Sequence, residues 1–182
     1  GTTGFTLGTG TKLTPTNDTV SLTGLLPQTT YDVYILEVCS ATDSSGWSTF
    51  SFTTGCGLIN TYPYSEGFES AAWVSGSGSL NTGSMMDQCW TATPTSSNGY
   101  SWGTRSGATT SSNTGPTNGF GGSGNYMFTE SSTGSTGDKA DLMTPFFDLS
   151  SLTSPELTFR YHMYGSAMGT MMLWVWNGTN YD

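Results

Sequence analysis

A chain of 182 residues accommodates one large domain or two small ones, and with 34% hydrophobic, 13% aromatic and only 9% charged residues it has material for a core rather than the composition of a disordered segment. The net charge of −9, set by a total of four Lys and Arg, opposes binding to nucleic-acid phosphates and to anionic membrane surfaces, and leaves a divalent cation or a neutral glycan as compatible partners. No apolar run of about 18 residues is present, so no membrane insertion is expected, and Gly1 opens directly into Thr/Gly-rich text without a signal peptide, which reads both ends as cut points of a longer chain.

In chain order, residues 5–7, 20–22, 31–38 and 49–53 read as short strands separated by Gly, Pro, Asn and Asp turns. Tyr31, Val33 and Ile35 fall on one face of the third, with Asp32, Tyr34 and Leu36 on the other. Residues 76–83 and 104–124 are rich in Gly, Ser and Thr and read as surface loops. From Leu157 to Tyr164 apolar and polar positions alternate with the period of a half-buried strand. Residues 165–169 form a glycine-bounded turn, and residues 171–176 are apolar on both faces. That hairpin is the expected core of the second half of the chain.

Three cysteines constrain the pairing. If residues 31–54 form a hairpin, Cys39 lies near its turn and Cys56 beyond its far end. About eight residues at roughly 3.3 Å each then separate them, past the ~7 Å Cα limit of a disulfide. Cys56–Cys89 is the preferred pairing. Cys39 is then free and buried or bonded to a residue upstream, and three free thiols are the alternative.

Two families resemble parts of this text. Leu22-Thr-Gly-Leu-Leu-Pro-Gln-Thr-Thr-Tyr31 resembles the tyrosine corner of fibronectin type III domains. The segment Asp43-Ser-Ser-Gly-Trp47-Ser48, followed by Phe50-Ser-Phe52-Thr-Thr54, resembles their last hairpin and closing strand. From Pro63 onward the chain resembles a MAM domain, the extracellular jelly-roll-like β-sandwich of meprins, neuropilins and receptor tyrosine phosphatases. The matching segments run in order: Pro63-Tyr64-Ser-Glu66-Gly-Phe68-Glu69, Asp87-Gln-Cys89-Trp90, the Thr-Gly-Pro loop within 111–119, Gly124-Asn-Tyr126-Met127-Phe128, Ala140-Asp-Leu142-Met-Thr-Pro145, and Tyr161-His162-Met163-Tyr164-Gly165 with Met168-Gly169-Thr170. Asn118-Gly119 stands where the family often places Asp. The resemblance implies an all-β chain: the C-terminal part of a fibronectin type III-like sandwich over 1–55, a linker over 56–62, and a MAM-like jelly roll over 63–182, truncated before its closing strands.

Chemistry is sparsely represented. Carboxylates two residues apart on a strand, as sandwich glycosidases need, are absent, since Glu66 and Glu69 are three apart and fall on opposite strand faces. The single histidine, His162, sits in strand text and reads as packed rather than as a base, and one His with three dispersed Cys lacks zinc-ligand spacing. A structural calcium ion is the sharper possibility. By resemblance a cation ties the opening strand to neighbouring loops, with Glu69 and Asp87 as the expected ligands and Asp138 and Asp141 as further carboxylates near strand ends. Most tryptophans read as core, and Trp102 is the one expected to be exposed for ligand stacking. Asn17-Asp-Thr19 and Asn177-Gly-Thr179 match the short N-glycosylation pattern. The resemblance therefore implies a non-catalytic extracellular adhesion or recognition module of a larger secreted or cell-surface protein, with a protein or glycan ligand. The alternative is an accessory module, glycan-binding or otherwise, of a secreted peptidase or glycoside hydrolase.

Overall fold

The alternating text around Tyr31 forms the longest ladder of the computed structural model, which describes residues 1–78, 82–94 and 98–182. Strand β1 (Thr30–Ile35) pairs antiparallel with β4 (Ser48–Thr53), from Thr30 opposite Thr53 to Ile35 opposite Ser48. Between them lie β2 (Val38–Ser40) and β3 (Asp43–Ser44), which pair with a shifted register. Cross-strand side chains stabilise the ladder. The rings of Tyr31 and Phe52 stack at 6.0 Å, and the Thr30 and Thr53 hydroxyls share a 2.8 Å hydrogen bond. The Tyr31 hydroxyl accepts the Leu26 N–H at 2.8 Å, which fixes the turn before β1. Asp32 accepts the Ser51 hydroxyl at 2.6 Å and the Gly4 N–H at 2.9 Å, and these donors hold its carboxyl below the ordinary value.

Residues 5–7 and 20–22, expected as strands, are not strands. Near Phe5 the backbone donors are satisfied by turns, with Phe5 N–H on Thr2 O and Thr9 N–H on Thr6 O. Phe5 instead serves the ladder by its ring, edge-on to Tyr34 at 5.3 Å. The expected strand over 31–38 breaks after Ile35, where Glu37 and Ser45 exchange hydrogen bonds across the base of the β2–β3 hairpin.

The chain divides into two units. The first comprises Gly1–Asn60 with Phe146–Asp148, and the second comprises Thr61–Pro145 with Leu149–Asp182. In the first, Ile59 lies between Phe146 and Asp148, donating to Phe146 O at 2.9 Å and accepting from the Asp148 N–H at 2.8 Å.

The second unit holds two further antiparallel pairs, β5 (Thr91–Pro94) with β8 (Ala140–Met143) and β6 (Gly103–Ser106) with β7 (Asn125–Phe128). A one-turn 3-10 helix, Ser131–Thr133, follows β7, and no α-helix occurs among the described residues. Strand β6 lies inside the stretch expected as loop from residue 104. Its polar text is buried because its polar groups are answered. Thr104 is fully buried, its hydroxyl donating to Met85 O at 2.7 Å and its carbonyl accepting the Gly76 N–H at 2.8 Å. The expected loop over 76–83 is likewise spanned by a Ser77–Thr82 bridge, below a Val74–Met85 bridge, while its residues 79–81 lie outside the described ones.

The core of this unit is aromatic. Trp73, 4% exposed, is the buried hydrophobic residue of the described chain, and it meets Phe68 edge-on at 4.9 Å and Trp90 at 5.6 Å. Phe68 and Trp90 close the triangle at 5.6 Å.

The hairpin expected over 157–176 does not supply that core. Its residues carry no ladder apart from a bridge between Trp176 and Tyr181, and Tyr161 is 68% and Trp174 57% exposed. A period of two marks the face a strand would bury, but burial needs a partner strand or layer. None covers this face among the described residues. The other tryptophans divide similarly: Trp90 and Trp102 are half-buried, whereas Trp47, Trp174 and Trp176 are exposed.

Truncating Trp73 to Ala removes the centre of the aromatic triangle. Denaturant unfolding of Trp73→Ala should show a loss of about 3–5 kcal/mol, against a change within about 0.5 kcal/mol for Tyr164→Ala at the exposed surface.

Candidate recognition surface

Around this core, loops are held by carboxylates and one guanidinium, and these decide which groups remain available to a ligand. Phe68 takes a left-handed backbone, φ +64°, with its N–H on the Glu66 carboxylate. That kink turns its carbonyl toward the start of β7, where it accepts the Asn125 side-chain amide at 2.6 Å. The next residue, Glu69, accepts the Asn125 backbone N–H through Oε1 at 2.7 Å. Gly124 makes this approach possible. A Cβ there would meet Glu69 Oε1 at 2.0 Å, and its φ of +82° is one that glycine adopts without strain.

Asp87 does different work. Its Oδ1 accepts the Cys89 N–H at 2.9 Å and its carbonyl accepts the Trp90 N–H at 2.9 Å, a turn that delivers Trp90 to the core. Near Tyr64 burial, followed by the charges of Glu66 and Asp87, pushes the phenol up from its ordinary value.

Glu69 and Asp87 are thus engaged with separate backbone groups. Among the described residues no group of three or more His, Cys, Asp or Glu is placed to hold a metal. A hard cation takes six to eight oxygens, so Glu69 and Asp87 would need further oxygens beside them to hold one. Asp138 accepts the Asn98 amide and the Ser135 N–H, both at 2.6 Å. Asp141 is paired opposite Thr93 in the β5–β8 ladder.

Trp102 is half-buried, and its indole N–H donates to Ala140 O at 2.9 Å, which ties β8 to the start of β6. Cys56 and Cys89 are disulfide-bonded, and Cys39 is free and exposed on β2. His162 is exposed, its ring 6.4 Å from that of Tyr164.

Two charged groups escaped the sequence reading. Glu130, 7% exposed, caps the 3-10 turn: its Oε1 accepts the Ser132 N–H at 3.2 Å and the Ser132 hydroxyl at 3.0 Å. Its Oε2 accepts the Ser111 hydroxyl at 3.1 Å and the Thr110 hydroxyl at 3.4 Å. Burial pushes this carboxyl up, but the four donors together outweigh it and hold the group below its ordinary value of 4.5. A signal was present in Glu130-Ser-Ser-Thr133, an acidic cap before a hydroxyl-rich turn.

Arg105, 8% exposed, donates from Nη1 to Gly78 O at 3.0 Å and from Nη2 to Ala108 O at 2.9 Å, over the Phe128 ring at 5.8 Å. The guanidinium fastens two glycine-flanked loops through carbonyls rather than through a carboxylate. Nothing in the spacing of Thr104-Arg105-Ser106 announced that.

The surface left open is apolar and aromatic. Leu157, Phe159 and Tyr161 line an open groove with Thr158 and Arg160, and Arg160 lies over the Phe120 ring at 5.1 Å. Aromatic, Met and Arg side chains are the types enriched where proteins meet.

Fold and site together define a class: a β-rich, disulfide-bonded module with loops fastened by internal carboxylates and no α-helix among the described residues. The chain belongs to the MAM domain family (MAM domain, meprin/A5/mu), whose profile matches residues 80–181. MAM domains are extracellular adhesion and recognition modules, themselves non-catalytic and β-sandwich in architecture. No solved structure matches the chain. Among the described residues no helix is long and apolar enough to cross a membrane.

Two measurements address these fasteners. A carboxyl with a lowered folded value contributes stability that is present above its unfolded value of 4.5 and is lost as pH falls through the folded one. Glu130→Gln should therefore unfold about 1–2 kcal/mol more easily at neutral pH, with the difference from the parent shrinking in acid. A constant difference across that window would contradict the assignment. Gly124→Ala should cost about 1–3 kcal/mol through its backbone alone, and amide exchange should show the Asn125 N–H losing protection.

Proposed function

We propose that this chain is a non-catalytic adhesion or recognition module of a larger secreted or cell-surface protein, acting on a protein ligand. The observation that carries the reading is the MAM family match over residues 80–181, and the Cys56 and Cys89 disulfide fits an extracellular setting. Residues 1–55 are read as the C-terminal part of a fibronectin type III-like domain. Supporting that reading are the sequence resemblance and the Tyr31 hydroxyl reaching back to Leu26. A protein ligand is preferred to a glycan because Trp102, the expected stacking platform, is half-buried with its N–H committed to Ala140, whereas the aromatic and Met side chains of 157–176 are exposed. A calcium ion at Glu69 and Asp87 belongs to this proposal as well, with further oxygens from loop carbonyls and water completing its shell.

Beads coated with the chain should adhere to cells, with adhesion lost when surface protein is removed by protease and retained after glycosidase treatment. The opposite pattern would replace the reading with a glycan-binding accessory module, and adhesion no better than that of albumin-coated beads would overturn both. Thermal unfolding with calcium and with chelator tests the cation. An ion at about a hundred times its Kd adds ~2.7 kcal/mol. A rise in Tm that disappears in Glu69→Ala supports the site, and no rise removes it.

A further inference from the structure

The chain contains three Asn-Gly pairs, Asn98-Gly99, Asn118-Gly119 and Asn177-Gly178. In each the flexible, unhindered glycine nitrogen is a potential nucleophile toward the preceding side-chain amide. The fold treats them differently. Asn177 opens a turn closed by Val175 and Asp182, which exchange backbone hydrogen bonds of 2.9 Å each, and by the Asn177 N–H on Asn180 O at 3.0 Å. Within that frame the Asn177 Oδ1 accepts two backbone N–H groups, those of Thr179 and Asn180, both at 2.9 Å. Its Nδ2 donates to the Asp182 carboxylate at 2.6 Å. Gly178 has φ +95°, and its N–H has no acceptor among the described residues.

We propose that Asn177-Gly178 is a self-modifying junction, which converts spontaneously through a cyclic imide to aspartate and isoaspartate. Two N–H donors on Oδ1 withdraw electron density from Cγ and stabilise the oxyanion that forms when Cγ is attacked, as paired donors do in acyl-transfer sites. The Gly178 nitrogen bonds to Cγ and loses its proton. The Cγ–Nδ2 bond breaks and that nitrogen leaves as ammonia, carrying the proton, with the Asp182 carboxylate placed to relay it. Water then opens the imide at either carbonyl. No oxidant or reductant is consumed. The product at Asn177 is an added negative charge, and in the isoaspartyl form an extra backbone atom inside an exposed turn.

The Asn118-Gly119 pair provides an internal control. At Asn118 the nucleophile is engaged, since the Gly119 N–H donates to Gly124 O at 3.3 Å. At Asn98 the Tyr100 N–H reaches Oδ1 at 3.1 Å, and Asp138 takes Nδ2 at 2.6 Å.

The test is peptide mapping with isoaspartate detection after incubation of the intact chain at mildly alkaline pH, in buffer and in concentrated urea. In buffer, isoaspartate at 177 should accumulate several-fold faster than at 118. In urea, where all three pairs lose their frames, the rates should converge. Asp182→Asn should slow reaction at 177 several-fold in buffer and leave it unchanged in urea. Asn118 matching Asn177 in buffer would overturn the proposal, as would a lead for Asn177 over Asn118 that persists in urea. An Asp182→Asn rate equal to that of the parent would overturn the proton relay.

Discussion

The Phe68–Trp73–Trp90 triangle is the contact on which the second unit depends. Its three rings come from different stretches of the chain and meet edge to face, the arrangement favoured by the ring quadrupole. Each ring is delivered by a polar device: Phe68 by the Glu66 carboxylate on its left-handed backbone, Trp73 by its N–H on Ser70 O, and Trp90 by the Asp87 turn. Carboxylates that would be surface groups elsewhere are here the means by which aromatic side chains reach the interior. With so few charged residues in the chain, several of its acids hold backbone rather than face water.

The same economy explains the loops. A chain this rich in Gly, Ser and Thr loses much backbone entropy on ordering, and short strands alone recover little of it. Arg105 and Glu130 order the loops beside β6 and β7 from within, one through carbonyls and the other through hydroxyls. Their isolation from each other's charge is compensated by hydrogen bonds to neutral dipoles, which is how a buried ion is tolerated without a partner.

Much of the β text was legible. Tyr31 and Phe52, Asn125 to Phe128, and Ala140 to Met143 all lie in strands where alternation and motif placed them. Strand β6 was not legible, because Gly-Thr-Arg-Ser has no apolar period and is buried by hydrogen bonds formed with residues distant in sequence. The hairpin around Tyr161 failed in the opposite sense: its pattern is strong, yet nothing among the described residues covers it. Pattern reports what a strand could bury, whereas burial is decided by a partner the local sequence does not contain. For the site, Glu69 and Asp87 stood out as carboxylates near strand ends. Their hydrogen bonds to backbone N–H groups could be read only once Asn125 and Cys89 were placed against them.

Residues 171–176, Met-Met-Leu-Trp-Val-Trp, are exposed along their whole length and include neither a charge nor a proline. A six-residue window of that composition is what stacks in cross-β assemblies. Handling of the protein is therefore governed by concentration as much as by temperature. Dilute solutions keep such windows apart, whereas concentration brings them into register between molecules. A single lysine on this stretch would act as a gatekeeper without touching the aromatic core.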